Sequence, residues 1–145
     1  MGHNIDDTKI REIIHKYKNA KFLHNGRSLE EGIDCLGFVI LFYRDLGIDL
    51  PNDDGKPIEE DWYKTDPNRY IRAIKNLGFK EVKFRDLRPL DMVYFAISRN
   101  IITHTGIMIS PREFAHMSPK KDFLISRLER GWLSRAKGAV RVIDW

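Results

Sequence analysis

Gly32-Ile33-Asp34-Cys35-Leu36-Gly37-Phe38-Val39 opens the longest apolar stretch of a 145-residue chain, and its reading decides the fold. A helix running from Cys35 to about Asp45 carries Phe38, Val39, Leu41 and Phe42 over most of its circumference, so it must be buried. Gly47 ends it. Cys35 then stands at the N-terminal end of a core helix, where unpaired N–H groups and a partial positive charge favour thiolate over thiol. The same N–H groups are candidate donors to an oxyanion. The position alone leaves a second reading open, an inert cysteine packed between helix and sheet.

Upstream of this stretch, Asp6-Asp7-Thr8 is a capping signal for a first helix with Ile10, Ile13, Ile14 and Tyr17 at helical spacing. Asn19 to Gly32 is polar and contains Gly26 and Gly32, and reads as a loop. Downstream, residues 48 to 66 form a long connection with Pro51, Asp53-Asp54-Gly55 and Pro57, of the length that shapes binding clefts or makes a plain surface excursion. Asp66-Pro67 opens a third helix over Asn68 to Leu77, with Tyr70, Ile71, Ile74 and Leu77 facing in and Gly78 as its stop.

The period then changes to that of strands: Lys80–Phe84, Met92–Ile97, Thr103–Ile109, Glu113–His116, Phe123–Ser126 and Ala139–Ile143. Arg88-Pro89-Leu90 and Ser110-Pro111-Arg112 are turns, and Gly131-Trp132-Leu133-Ser134 is a short helical turn. Helices first and strands second predict an α+β fold, with an antiparallel sheet packed on the N-terminal helices.

A thiol nucleophile needs a base. His104 lies at the polar start of a strand that is apolar afterwards, placed to meet a helix N-terminus across the core; its bland reading is a strand end facing solvent. His116 follows twelve residues later in the next strand. A hairpin centred on residue 110 sets the two histidines opposite each other, and one centred on 111 makes them diagonal neighbours on one face. Either register lets His116 orient the His104 ring, or else simply bond a backbone carbonyl.

Bulk properties bound the rest. The length fits one domain over residues 1–145, and 42% hydrophobic residues suffice for a packed core. A net charge of +4 is a mild basic bias favouring anionic surfaces. The pair Lys120-Lys121 is too short for a nucleic-acid arm, so no nucleic-acid partner is expected. One cysteine excludes an intrachain disulfide and a cysteine-rich zinc site; His3, His15 and His24 show no ligand spacing, so neither metal nor cofactor is expected. No apolar run approaches the ~20 residues of a transmembrane helix. Met1 to Ile10 lacks a signal-peptide core, which predicts synthesis in the cytoplasm.

The quoted run resembles the Asp-Cys-Ser-Gly-Phe-Val signature of the NlpC-type papain-like cell-wall peptidases. His104-Thr105-Gly106-Ile107-Met108-Ile109 resembles their His-Val-Gly-Ile-Tyr-Ile strand, and Phe114-Ala115-His116-Met117 their Phe-Ile-His-Ala segment. Leu87-Arg88-Pro89-Leu90-Asp91-Met92-Val93 is similar to their Leu-x-Pro-Gly-Asp-Leu-Val turn, with Leu90 in place of glycine. Phe22-Leu23-His24-Asn25-Gly26-Arg27 resembles the Phe-x-x-x-Gly-Arg loop of phage and prophage tail-associated members.

The resemblance implies a papain-like fold and a Cys35–His104–His116 triad. It further implies hydrolysis of the amide joining D-glutamate, through its side-chain carboxyl, to a diamino acid in peptidoglycan stem peptides. Phe22, His24 and Asp34 are the candidate substrate contacts. Phage tail proteins are candidate partners, with action at the wall after delivery by a tail or after lysis. Besides Leu90, two positions depart from the family pattern: Phe22 stands where a tyrosine is frequent, and Leu36 replaces the serine that follows the nucleophile. The rival functions are an amidase or acyltransferase using the same thiol, and a non-catalytic tail or wall-binding protein.

Overall fold

A computed structural model describes residues 7–50, 72, 75, 79–98 and 101–143. Two helices come first, α1 (Asp7–Tyr17) and α2 (Cys35–Asp45), separated by a two-residue hairpin of β1 (Arg27–Ser28) and β2 (Gly32–Ile33). Then follow β3 (Lys80–Val82), a 3₁₀ turn over Phe84–Asp86, β4 (Met92–Ser98), β5 (Ile101–Met108), β6 (Glu113–Ser118), β7 (Asp122–Arg127), the short α3 (Arg130–Arg135) and β8 (Ala136–Arg141). The six later strands form one sheet in the order β3-β8-β4-β5-β6-β7, antiparallel throughout. This is the α+β arrangement that the change of period predicts.

Strand alternation divides the core in two. Met92, Tyr94, Ala96, Ile107, Ala115 and Met117 pack against the helices, with Phe38, Val39, Phe42 and Tyr17. Val93, Phe95, Met108 and Phe114 point to the opposite face, where Trp132 of α3 packs on them. β4 is therefore buried on both sides, and its sequence reads as a continuous apolar run rather than an alternation. Within the first cluster, Tyr17 meets Phe38 edge-on at 5.3 Å and its hydroxyl donates to Asp45 Oδ2 at 2.6 Å, tying α1 to the end of α2.

The start of β4 is clamped. Asp91, 1% exposed, accepts from Arg141 Nε and Nη2, both at 3.0 Å, and from the Arg88 backbone N–H at 2.8 Å. Leu90 sits in the left-handed region at φ 77°, the conformation for which the related turn uses glycine. Complete burial of its side chain, worth about 1.5–3 kcal/mol, offsets a backbone cost of about 1–2 kcal/mol. Its carbonyl accepts from Tyr43 of α2 at 2.6 Å.

Several boundaries differ from the sequence expectation. The β1–β2 hairpin, Arg27 to Ile33, falls largely within the expected loop over 19–32 and is too short to carry a period. β3 stops at Val82, three residues paired with β8, and Phe84 enters the 3₁₀ turn instead. β8 begins at Ala136 rather than Ala139. Gly138 is a strand residue because the Tyr94 ring occupies the space a side chain would need there. Asp6, most of the 48–66 connection, and Tyr70, Ile71, Ile74 and Leu77 of the expected third helix lie outside the described residues; positions 72 and 75 are helical.

Candidate active site

Cys35 is the first residue of α2, and Asp34 is its N-cap. The Asp34 carboxylate accepts from Gly37 N at 2.7 Å, from Asn25 N at 2.9 Å and from Arg27 Nη1 at 2.8 Å. One side chain thus starts the helix and fastens the 22–27 loop over its first turn. Both oxygens of Asp34 are engaged by the scaffold, and these bonds fix the start of the helix that carries Cys35. Gly37 makes this approach possible, since a Cβ there would run into the Gly26 carbonyl and crowd Arg27 and Asp34. Gly37→Ala is expected to lower stability by about 1–3 kcal/mol, as for other overpacked sites, with the loss read from urea midpoints.

The thiol faces the Thr103 carbonyl at 3.9 Å, and the Thr105 hydroxyl donates to the Cys35 carbonyl at 3.5 Å. The helix start is therefore seated on β5 at the two residues flanking His104. The β4–β5 register explains the seat. Phe95 pairs with His104 and Ala96 with Ile102, so Thr103 bulges out of the ladder. Ile102 packs toward the helices while the His104 ring joins Phe95 and Trp132 on the other face.

His104 Nε2 lies 2.7 Å from His116 Nδ1, and His116 Nε2 lies 2.8 Å from Ser126 Oγ on β7. Ile107 pairs with Ala115 and Met108 with Phe114, which centres the turn on Pro111 and makes the histidines diagonal neighbours. Trp132 stacks on His104 at 5.5 Å and meets His116 edge-on at 5.0 Å. Among the described residues, Ser126 and Trp132 are additions to what the sequence reading picked out. A serine at a strand end and a tryptophan in a short helix carry no local signal of this role.

Burial lowers the pKa of His104 to about 4. Burial, reinforced by the neighbouring His104, lowers that of His116 to about 3. Both rings are neutral at pH 7, and protonation favours the unfolded chain, where histidine titrates near 6.5. The stability tied to these rings is complete above pH 6.5 and is lost as pH falls toward 4. Between pH 7 and 4.5, above the usual carboxylate range, the protein is expected to lose about 5 kcal/mol from the two rings together. Urea midpoints against pH measure it, and a His104→Gln/His116→Gln variant is expected to show a flatter profile.

The remaining predicted substrate residues lie on the loop ahead of the helix. Phe22 is half-buried, bridges Ile33, and donates its N–H to Asp122 Oδ1 at 2.8 Å, joining this loop to the start of β7. His24 is half-buried in the turn before Asn25. Leu36, where the related signature has serine, is buried in the main core.

A capped helix bearing a cysteine, seated on a sheet beside a buried histidine pair, defines the papain-like α+β class. The chain belongs to the NlpC/P60 family, whose sequence model matches residues 19–141. It is 25% identical over 136 residues to the tail tip assembly protein K of Escherichia phage lambda, covering 93% of this chain and 66% of that protein. It is 28% identical over 147 residues to the murein DD-endopeptidase MepS/murein LD-carboxypeptidase of Escherichia coli K12, covering 99% of this chain and 68% of that one. Among solved structures, an NlpC/P60 family protein from Bacillus cereus superposes with a TM-score of 0.72 at 19% identity, covering 97% of this chain and 41% of that one. The chain thus spans about two thirds of these curated relatives and less than half of that structure. No helix among the described residues is long and apolar enough to cross a membrane.

Proposed function

We propose that the protein is a cysteine peptidase that hydrolyses the D-γ-glutamyl–diamino acid bond of peptidoglycan stem peptides, with Cys35 as nucleophile, His104 as base and His116 as its orienting partner. The observation that carries this reading is the seat of the Cys35 thiol on the β5 bulge, one peptide from a histidine whose Nε2 is held by a second histidine. The hydrogen-bonded row can run from His104 Nε2–H to His116 Nδ1 and from His116 Nε2–H to Ser126. That direction leaves His104 Nδ1 as a proton acceptor.

In the reaction, the Cys35 proton has to reach His104 across the Thr103 bulge, because the thiol faces the Thr103 carbonyl and the His104 ring packs on Phe95, His116 and Trp132. The sulfur attacks the amide carbonyl carbon. The amides of Gly37 and Phe38 are already bonded to Asp34, and the oxyanion is assigned to the N–H end of α2, where the helix charge favours it. His104 protonates the departing amine as the C–N bond breaks. Water then loses a proton to His104 and attacks the thioester, releasing the carboxylate and restoring the thiol. Phe22 and His24 lie on the loop fastened over the helix start and are assigned to the acyl side of the substrate. Similarity to the lambda tail tip protein supports delivery to the wall as part of a phage tail.

The test uses the single cysteine. Purified peptidoglycan digested by the protein is expected to release peptides newly ended at D-glutamate, identified by mass spectrometry. Protein carboxamidomethylated to completion at Cys35 is expected to release none. Identical products from both preparations, or products from neither, would overturn the peptidase reading; the second result favours a wall-binding role.

A further inference from the structure

The positive excess of the chain is not spread evenly over the fold. A groove of about 500 Å³ runs along the β3 edge of the sheet and the 3₁₀ turn after it, lined by Lys80, Lys83, Arg85, Arg88 and Arg141. Two carboxylates, Glu81 and Asp86, share it. Counting the buried Asp91 that Arg141 bonds, five cations meet three carboxylates, an excess of two and so half of the +4 of the whole chain. We propose that this groove binds a linear phosphodiester polymer without bases, a polyol phosphate chain of the cell wall. The wall as the source of the polymer rests on the peptidase reading; the binding chemistry does not.

Lys80, Lys83, Arg85 and Arg88 are all exposed. Lys83 continues β3 in the extended conformation, and its side chain makes no cap bond to the turn. It therefore stands about 10 Å from Lys80 along the chain. One phosphate cannot reach both. A chain with a charge on every repeat can, and each further contact then forms at high effective concentration. The guanidinium fork of Arg85 matches two oxygens of a phosphate. Glu81 weakens this row little, because alternation turns it to the other side of β3 from Lys80, where its charge acts on Tyr94.

The walls select among anionic polymers. Val82 and Leu87 are the apolar lining residues, and no aromatic residue lines the groove among the described residues. Phe84, 38% exposed, belongs to the neighbouring depression beside Tyr94. Single-stranded nucleic acid would find no ring here on which to stack its bases. The groove is also remote from the candidate catalytic residues. β8 and β4 separate β3 from β5, about 14 Å across the sheet. A polymer held at this edge leaves Cys35 and His104 open to a stem peptide.

Fluorescence anisotropy with labelled poly(glycerol phosphate) tests the groove without any turnover. The protein is expected to bind it, and about tenfold less tightly as salt rises from about 50 to about 200 mM, through release of counterions from the polymer. Lys80→Gln/Lys83→Gln/Arg85→Gln, at exposed positions, is expected to weaken binding about tenfold. Lys18→Gln/Lys120→Gln/Lys121→Gln removes as much charge from exposed positions elsewhere and is expected to change it less than about twofold, since distant charges are screened. Urea midpoints check that both variants keep the fold. No binding, equal losses in the two variants, or undiminished binding by the groove variant overturns the proposal. Tighter binding of oligo-deoxythymidylate, or of phosphatidylglycerol vesicles at equal phosphate, assigns the groove to nucleic acid or to a membrane and overturns it as well. Peptidoglycan digestion is read separately. Groove-dependent binding by a protein that releases no wall peptide keeps the groove and removes the peptidase reading; digestion with binding that ignores the groove does the reverse.

Discussion

Under the proposed mechanism, Cys35→Ala is expected to remove measurable hydrolysis of the wall peptide, and His104→Gln to lower kcat/KM by about 10²- to 10⁴-fold, the range for loss of a positioned base. The two act as one unit, so the double variant is expected to be no slower than Cys35→Ala alone. Glutamine is close to histidine in size and keeps a polar end within the row that runs to His116 and Ser126. The fold should therefore survive, as far-ultraviolet circular dichroism and urea midpoints will report. Rates on a synthetic γ-D-glutamyl-diaminopimelate peptide measure the loss. A His104→Gln protein that retains the unmodified rate would remove His104 from the mechanism whatever the outcome at Cys35.

Asp91→Ala is the largest expected stability effect. It leaves the Arg141 guanidinium, 12% exposed at its side chain, without the carboxylate it meets through two bonds of 3.0 Å. Removing one partner of a buried pair costs about 3–5 kcal/mol, because the other charge stays buried without compensation. A domain has only about 5–15 kcal/mol in total, so the urea midpoint should fall by a large fraction. Asp91→Ala/Arg141→Met removes both charges and is expected to recover part of the loss. If the double variant is no more stable than Asp91→Ala, the burden lies elsewhere, in the Arg88 N–H that Asp91 also accepts.

The reading of the chain succeeded where one element carried the whole signal. The apolar circumference of residues 36–43 made α2 a buried helix, and the position of Cys35 at its start followed. Ile10, Ile13 and Tyr17 likewise marked the inner face of α1, all three being buried. The strands were found by their period, but their ends were not. β8 starts at Ala136, three residues before the expected Ala139, and runs through Gly138, where the Tyr94 ring covers the backbone in the space a side chain would need. Asp34 was legible as a functional neighbour of Cys35 but not as a cap holding a distant loop, since that role depends on Asn25 and Arg27 folding back over it.

By itself the sequence determined the kind of elements, their order, and the chemistry available in them: a thiol at a helix start and two histidines twelve residues apart. These are local matters, settled by spacing and side-chain type. Only the tertiary structure decided the register that makes His104 and His116 diagonal, the bulge at Thr103 that seats the thiol, and the arrival of Ser126 and Trp132 against the histidines. Register and bulges arise from how neighbouring strands pair and twist, and that energy is shared among residues far apart in the chain.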